Sequence, residues 1–464
     1  MTTARIRRLA LRRGDDGFEA ARTGVQRAYL HRPSVAVRAT GVADVRAAVR
    51  HAAEHGHAVA VQATGHGLTV PLEDGVLIDT SRMTGVRVDP VARTARVAAG
   101  TRWAEVIEAA ATHGLAPLSG SSPDIGVVGY TLGGGLGLFG REFGFAADHV
   151  RRLEVVTADG ELVTAEPGSD LFWALRGGGG NFGVVTSLEF GLFPVGRFYG
   201  GGLYFDTDRV PAVLSAYREW TATVPDRMSS SIGIVPLPDV PAVPAPLRGR
   251  HVAHVRIAYP GPVAEGAELV APLRAVGPRL VDTVGEMPYT ASGTIHNEPK
   301  QPRNFYCANV LLKDFDASIP DAVLDLVGPG RGVFAVVQVN HLGGALARTP
   351  REPNAVGHRD AACLLRVVTL PQGPDREAAY ETARAVTRVA APWTVGRSAG
   401  FVQGERQTSE LARECWEPET FARLSALKAV HDPGNVFRCT VNIPPAGRAT
   451  GSLWWRFRPG APIA

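Results

Sequence analysis

Residues 119–144 read SGSSPDIGVVGYTLGGGLGLFGREFG, the densest glycine segment of the chain. Glycine supplies 53 of 464 residues, about 11% against a usual figure of about 7%. Such an excess belongs where the backbone takes positive φ or comes close to something. Inside the segment, Gly135-Leu-Gly137-Leu-Phe-Gly140 fits the G-x-G-x-x-G spacing that opens a helix under a pyrophosphate in a Rossmann unit. Its context argues otherwise. Gly-Tyr-Thr-Leu-Gly-Gly precedes it in place of an apolar strand, and no βαβ unit follows.

Working outward, two more glycine loops stand at strand ends, Ala63–Leu68 and Gly177–Gly183. Upstream, Thr40 is expected to cap a helix whose apolar positions Val42, Val45, Val49 and Ala52 share one face, ending near Gly56. A strand in HAVAVQA follows, then strands at Val76–Ile78, Val86–Val88 and Ala95–Ala98, and a helix over Trp103–Thr112. Downstream, LEVVTADGELVTA reads as a hairpin turning at Asp159-Gly160. The pattern is α+β with short strands. After Pro194 glycine thins and prolines cluster, so a boundary is expected near Gly196. Alternating strands such as VFAVVQV then suggest a separate sheet through residue 416, and a last helix at Pro418–Val430 leads into DPGNVFRCTVNIPP.

Composition excludes several classes. The net charge is +4 and apolar residues make up 45%, so general disorder is excluded. No long basic run follows the first thirteen positions, which argues against nucleic acid. The four cysteines (Cys307, Cys363, Cys415 and Cys439) are far apart, which speaks against a disulfide framework or a cysteine metal site. No apolar run is long enough for a membrane helix, and MTTARIRRLALRRGDDGF lacks a signal peptide's apolar region, so a cytoplasmic location is expected. P-loop and H-E-x-x-H motifs are absent.

Any single glycine loop is as well explained by a tight turn as by a ligand. Three together offer many unobstructed N–H groups to a large anionic cofactor. His66 lies between Gly65 and Gly67, where backbone can approach a ligand; the alternative is a loop histidine bonded to backbone.

The arrangement resembles a known family. Thr64-Gly65-His66-Gly67 is followed by Ser122-Pro123-x-x-Gly126-x-x-Gly129-Tyr130-x-x-Gly133-Gly134-Gly135-x-Gly137. Arg141-x-x-Gly144-x-x-x-Asp148, Gly178-Gly179-Gly180-Asn181-Phe182-Gly183-Val184-Val185, Asp432-Pro433-x-Asn435 and Asn442-Ile-Pro-Pro come next in order. This is similar to the FAD-linked oxidases of the vanillyl-alcohol oxidase superfamily, in the berberine-bridge-enzyme-like branch. The resemblance implies a two-subdomain PCMH-type FAD-binding domain at 1–196, a substrate domain at 197–416 with an antiparallel sheet covered by helices, and a segment at 417–464 that returns to the FAD domain.

It also implies roles. The first two loops would wrap the FAD pyrophosphate, and His66 would bond to the flavin 8α-methyl, a neutral imidazole being a suitable nucleophile. Ser122 stands where many relatives carry a second, cysteine anchor; serine is too weak a nucleophile without a dedicated base, so a single link is expected. Tyr130 would lie near flavin N1 and C2, where a donor helps as negative charge develops. Ile125 falls where bulk influences oxygen access. The third loop would hold the adenine side and Asn442 the flavin or ribityl chain. Where relatives show Tyr-x-Asn-Phe, this chain has Ser398-Ala399-Gly400-Phe401, and His431 replaces a tyrosine before Asp-Pro. The base is therefore sought at Tyr289 or His341, each equally explicable as structural. Gln338 and Asn340 share one strand face and His341 points the other way or sits in a turn, so only one set should look at the flavin.

The expected function is hydride transfer from a small organic molecule to flavin N5, with oxygen or another acceptor, in secondary metabolism. The alternatives are a redox-neutral FAD-containing cyclase, a dehydrogenase with another acceptor, and a flavin-free module binding an anionic ligand.

Overall fold

In the computed structural model the described residues are 2–404 and 409–447, so part of the segment expected at 417–464 lies outside them. Three sheets organise the chain. The first is four-stranded, in the spatial order Ala10–Leu11, Val35–Arg38, Val76–Asp79, Val59–Gln62. Its last three strands are parallel, and the all-apolar character of Val76–Ile78 follows from burial on both faces. Helix Val42–Glu54 makes the crossover and buries Val45, Ala48, Val49 and Ala52 completely. Thr40 does not cap it. Gly41 holds the N-cap position, and the Asp44 carboxylate reaches back to the Thr40 N–H (2.9 Å) and hydroxyl (2.8 Å). Thr40 is thus a donor to the helix's first turn instead of an acceptor from it.

The second sheet is antiparallel, in the order Val86–Asp89, Thr94–Ala98, Val184–Gly191, Val150–Val156, Leu162–Ala165. The hairpin turns where expected, with Gly160 at φ 77°. The third sheet, between Arg197 and Gly396, has nine strands paired antiparallel throughout. Its core takes in side chains of helices Val210–Thr221, Val263–Ala275, Ser318–Val327 and Arg376–Val389, which cover one face.

The C-terminal helix Pro418–His431 packs back on the first half of the chain. Lys428, fully buried, donates to the Asn181 carbonyl (2.5 Å), Asp432 Oδ2 (2.6 Å) and the Phe437 carbonyl (3.1 Å). Asn181 is equally buried: its Nδ2 donates to the Gly178 and Val441 carbonyls, and its Oδ1 accepts from the Ile443 N–H. A buried pair is a weak source of net stability, yet removing one partner strands the other charge. Lys428→Met should therefore lower stability by about 3–5 kcal/mol, read as a reduced urea midpoint. Replacing Lys428 and Asp432 together should cost less than Lys428→Met alone.

His31, also buried, accepts the Leu72 N–H at Nδ1 (3.0 Å) and must be neutral to do so. Burial, with a smaller contribution from Arg22, lowers its pKa to about 4. The unfolded chain takes up this proton near pH 6.5, the folded chain only near 4. Stability is therefore present above pH 6.5 and falls on acidification through that window, by up to about 3 kcal/mol from this group. Thermal midpoints measured from pH 7 to 4 should decline, and His31→Gln should flatten the decline.

Candidate active site

A cavity of about 1000 Å³ is lined by residues of the two smaller sheets and of the large one. Its first wall begins where strand Val59–Gln62 ends in the loop 63–68. Gly65 has φ 66°, and a β-carbon there would lie 2.6 Å from Gly24 Cα. Only glycine meets both conditions. The N–H groups of Val25 and Gln26 donate to the carbonyls of Thr64 and Gly65 (both 3.0 Å), fixing the loop against the N-terminal segment. Its neighbour His66 lines the cavity half-buried, with Nδ1 3.0 Å from Thr64 Oγ1. Burial is the main cause that lowers its pKa, against an opposing pull from Glu298, which favours a neutral imidazole.

The second loop is not all loop: Val127–Leu132 forms a short helix. Gly126, Gly129, Tyr130 and Gly133 line the cavity. The Tyr130 hydroxyl donates to the Leu118 carbonyl (3.1 Å), so its hydrogen is directed away from a ligand. Segment Ser398–Phe401 crosses this loop. A β-carbon at Gly133 would sit 3.1 Å from Gly400 Cα, and one at Gly400 would sit 3.0 Å from the Gly133 carbonyl. The departure from Tyr-x-Asn-Phe thus accompanies a backbone-to-backbone contact that a side chain at 400 would crowd. Asn309, on the large sheet, holds the segment through the Ser398 N–H (2.8 Å) and carbonyl (3.3 Å).

All four residues of Thr64–Gly67 line the cavity, as do Asn181, Gly183 and Val185 of the third loop. The amide of Asn181, however, is taken up by the bonds to Gly178, Val441 and Ile443. Several expected residues stand elsewhere. Ser122 and Pro123 are not among the lining residues; Ser122 Oγ accepts the Asp124 N–H at 3.3 Å. Gly134 (φ 102°) shapes the turn behind the wall. Asp148 is a structural hub, accepting from the Phe145 N–H, Asn354 and Arg359. Asn442 is not a lining residue, although its neighbours Thr440 and Val441 are.

Both candidate bases are displaced. Tyr289 is buried away from the cavity, donating to the Pro117 carbonyl (2.6 Å) and meeting Ser119 Oγ at 2.8 Å. Burial pushes its hydroxyl up to about 12. It packs against Phe139 and Phe198, which explains an aromatic there. His341 lines only a side chamber of about 60 Å³, where burial and then Arg141 lower it to about 3. Gln338, on the other face of its strand, does reach the main cavity.

Of the floor of the site, sequence reading singled out only Gln338. Tyr204, His254, Arg256, Gln338 and Arg366 project from the large sheet into the cavity, joined by His296 and Glu298 from the loop after Tyr289. A signal existed in HVAHVRIAY, where polar residues at 254 and 256 alternate with buried apolar ones.

An FAD fits this cavity on the chain's own terms. Its volume is at the upper end for ligand sites, the loop backbone is clear of β-carbons at Gly65, Gly126 and Gly133, and a neutral imidazole lines it. Residues 33–166 match the family described as FAD binding domain. The (R)-6-hydroxynicotine oxidase of Paenarthrobacter nicotinovorans is 26% identical over 453 residues, covering 93% of this chain and 96% of that protein. The FAD-linked oxidoreductase YgaK of Bacillus subtilis (strain 168) is 28% identical over 388 residues, covering 82% and 83%. Among solved structures, 6-hydroxy-D-nicotine oxidase from Arthrobacter nicotinovorans superposes with TM-score 0.81 at 25% identity, over 94% of this chain and 97% of that one. A chitooligosaccharide oxidase shares the fold, with TM-score 0.81 at 22% identity over 96% and 98%. With an FAD-binding domain at 33–166 and FAD-linked oxidoreductases as relatives along almost its whole length, the chain is an FAD-dependent oxidoreductase, and it shares its fold with a berberine-bridge-enzyme-like protein of Physcomitrella patens (TM-score 0.82 at 20% identity, over 97% of this chain and 100% of that one).

Proposed function

We propose that this oxidoreductase is an oxidase of a small organic molecule in secondary metabolism, with its flavin joined once, through His66. When bound, FAD supplies a two-electron acceptor that takes hydride at N5. The observation that carries the reading is His66 itself: half-buried, lining the cavity, and carried on a loop whose glycine at 65 has no alternative. Burial favours the neutral form needed for nucleophilic attack, and Thr64 Oγ1 orients the ring. Ser122 lies off the cavity lining, which supports one link rather than two.

Since Tyr289 and His341 do not reach the reacting space, the group that takes the substrate's proton belongs to the polar face of the large sheet. A second reading, a dehydrogenase with an acceptor other than oxygen, is favoured by Ile125, which lines the cavity where bulk would restrict oxygen.

The purified protein should be yellow, and the colour should remain in the pellet after acid precipitation. In His66→Ala the flavin should pass to the supernatant and turnover should fall at least about tenfold; acid-stable colour in that variant would rule out the link. Substrate under nitrogen should bleach the flavin. Rapid return of colour on admitting air supports the oxidase, and slow return supports the dehydrogenase.

A further inference from the structure

Strand His251–Tyr259 is apolar except at His251, His254 and Arg256, and strand Cys363–Thr369 carries one charge, Arg366. Antiparallel register brings these distant residues together. Ser231 is opposite both Arg256 and Asn340, while Gln338 is opposite both Gly233 and Arg366. Arg256 and Arg366 therefore occupy adjacent rows on the sheet face that lines the cavity, where it adjoins the side chamber.

Neither guanidinium is fully satisfied. Arg256 is only 6% exposed, and its Nε and Nη1 have no hydrogen-bond partner; the same holds for Arg366 Nε and Ser231 Oγ. Room has been cleared for the Arg256 head group. A β-carbon on Gly233 would lie 2.9 Å from Nη1 and 3.0 Å from Nη2. Arg366 lies 4.0 Å over the Phe401 ring, which fixes the plane of its fork.

Among the described residues no ion pair compensates the charge, and the through-space pull of Glu298 on Arg256 is outweighed by burial. Among the described residues the side chamber is lined by Arg141, Arg256 and Arg366 and by no carboxylate. Arg141 is already engaged by the carbonyls of Met228 and Leu342. Glu298, the carboxylate lining the main cavity, accepts from Ser121 Oγ (2.6 Å) and forms no ion pair with either arginine. His254 and His296 are held neutral by burial. Burial lowers Arg256 to about 10, which still leaves it charged at neutral pH. An unpaired buried charge such as Arg256 is costly, and the like charge of Arg366 on the same sheet face adds to that cost. A planar anion with two oxygens is the group that matches such forks.

We propose that the substrate is an organic carboxylate, anchored by its anionic end between Arg256 and Arg366 and extended from there into the main cavity. This rests on the flavoenzyme reading of that cavity. The side chamber, at about 60 Å³, admits a head group and little more, so the carbon that is oxidised lies outside it. The arginine pair belongs to the large sheet, apart from the loops Thr64–Gly67 and Gly126–Gly133 that serve the cofactor.

The test uses the holoenzyme titrated with benzoate and with its neutral isostere benzamide, followed by the flavin absorption spectrum and by the thermal midpoint. Benzoate should bind at least about tenfold more tightly and raise the midpoint. Arg256→Met and Arg366→Met should each abolish that preference while keeping the flavin content. Because each replaces an incompletely paired charge with an apolar chain of similar length, their own midpoints should be unchanged or higher. Arg256→Lys, which keeps the charge and loses the fork, should retain part of the preference. A yellow protein that binds both probes equally overturns the carboxylate anchor and leaves the flavoenzyme standing. A benzoate preference that survives in both Met variants also overturns it. A colourless preparation overturns the flavoenzyme reading instead; the benzoate-induced midpoint shift, present in the parent and lost in Arg256→Met, then separately supports the anion site.

Discussion

At Gly65 and again at Gly133 the backbone must touch another stretch of backbone with no side chain between. Gly24 meets Gly65 at a distance that a β-carbon would violate, and Gly400 meets Gly133 at one that a β-carbon would crowd. These two contacts set the cavity. The first turns the loop so that His66 lines it; the second seats the Ser398–Phe401 segment of the large-sheet region on the cofactor loop. At Gly65 the cost of glycine in conformational freedom is offset by packing that only glycine permits.

The elements that meet at the cavity come from far apart in the sequence, and buried polar ties hold them in place. Lys428 and Asp432 bring the C-terminal segment onto the third glycine loop through the Asn181 carbonyl. The Asn181 amide finishes the same junction. Residues with the look of cofactor ligands are here structural: Asp148 gathers Arg359 and Asn354, and Asn181 bonds to main chain. Their occurrence in a fixed motif reflects the geometry of the loops as much as contact with a ligand.

Local patterns were legible in advance. The helix at 42–54 followed its apolar stripe, the hairpin at 159–160 its Asp-Gly turn, and the order of glycine loops pointed to the flavin-binding architecture. The cavity-lining residues of the first loop were legible for the same reason, since four consecutive residues carry them. The floor of the site was not. Arg256 and Arg366 are 110 positions apart, and they come to share one sheet face in adjacent rows only through the register of the two intervening strands at 229–236 and 335–341. Nor could sequence reveal that Tyr289 points into an aromatic cluster, because its partners Pro117 and Ser119 belong to the other half of the chain.

That tyrosine has a mechanical consequence. Pro117, Leu118 and Ser119 are consecutive, and two tyrosines from opposite sides grip them: Tyr289 holds the Pro117 carbonyl and Ser119, while Tyr130 holds the Leu118 carbonyl. The peptide acts as a calliper joint between the cofactor wall and the substrate wall. Rocking the large sheet away would first have to extract a buried phenol from its aromatic nest. The spacing of the two walls is therefore pinned at this edge by three hydrogen bonds to one short peptide.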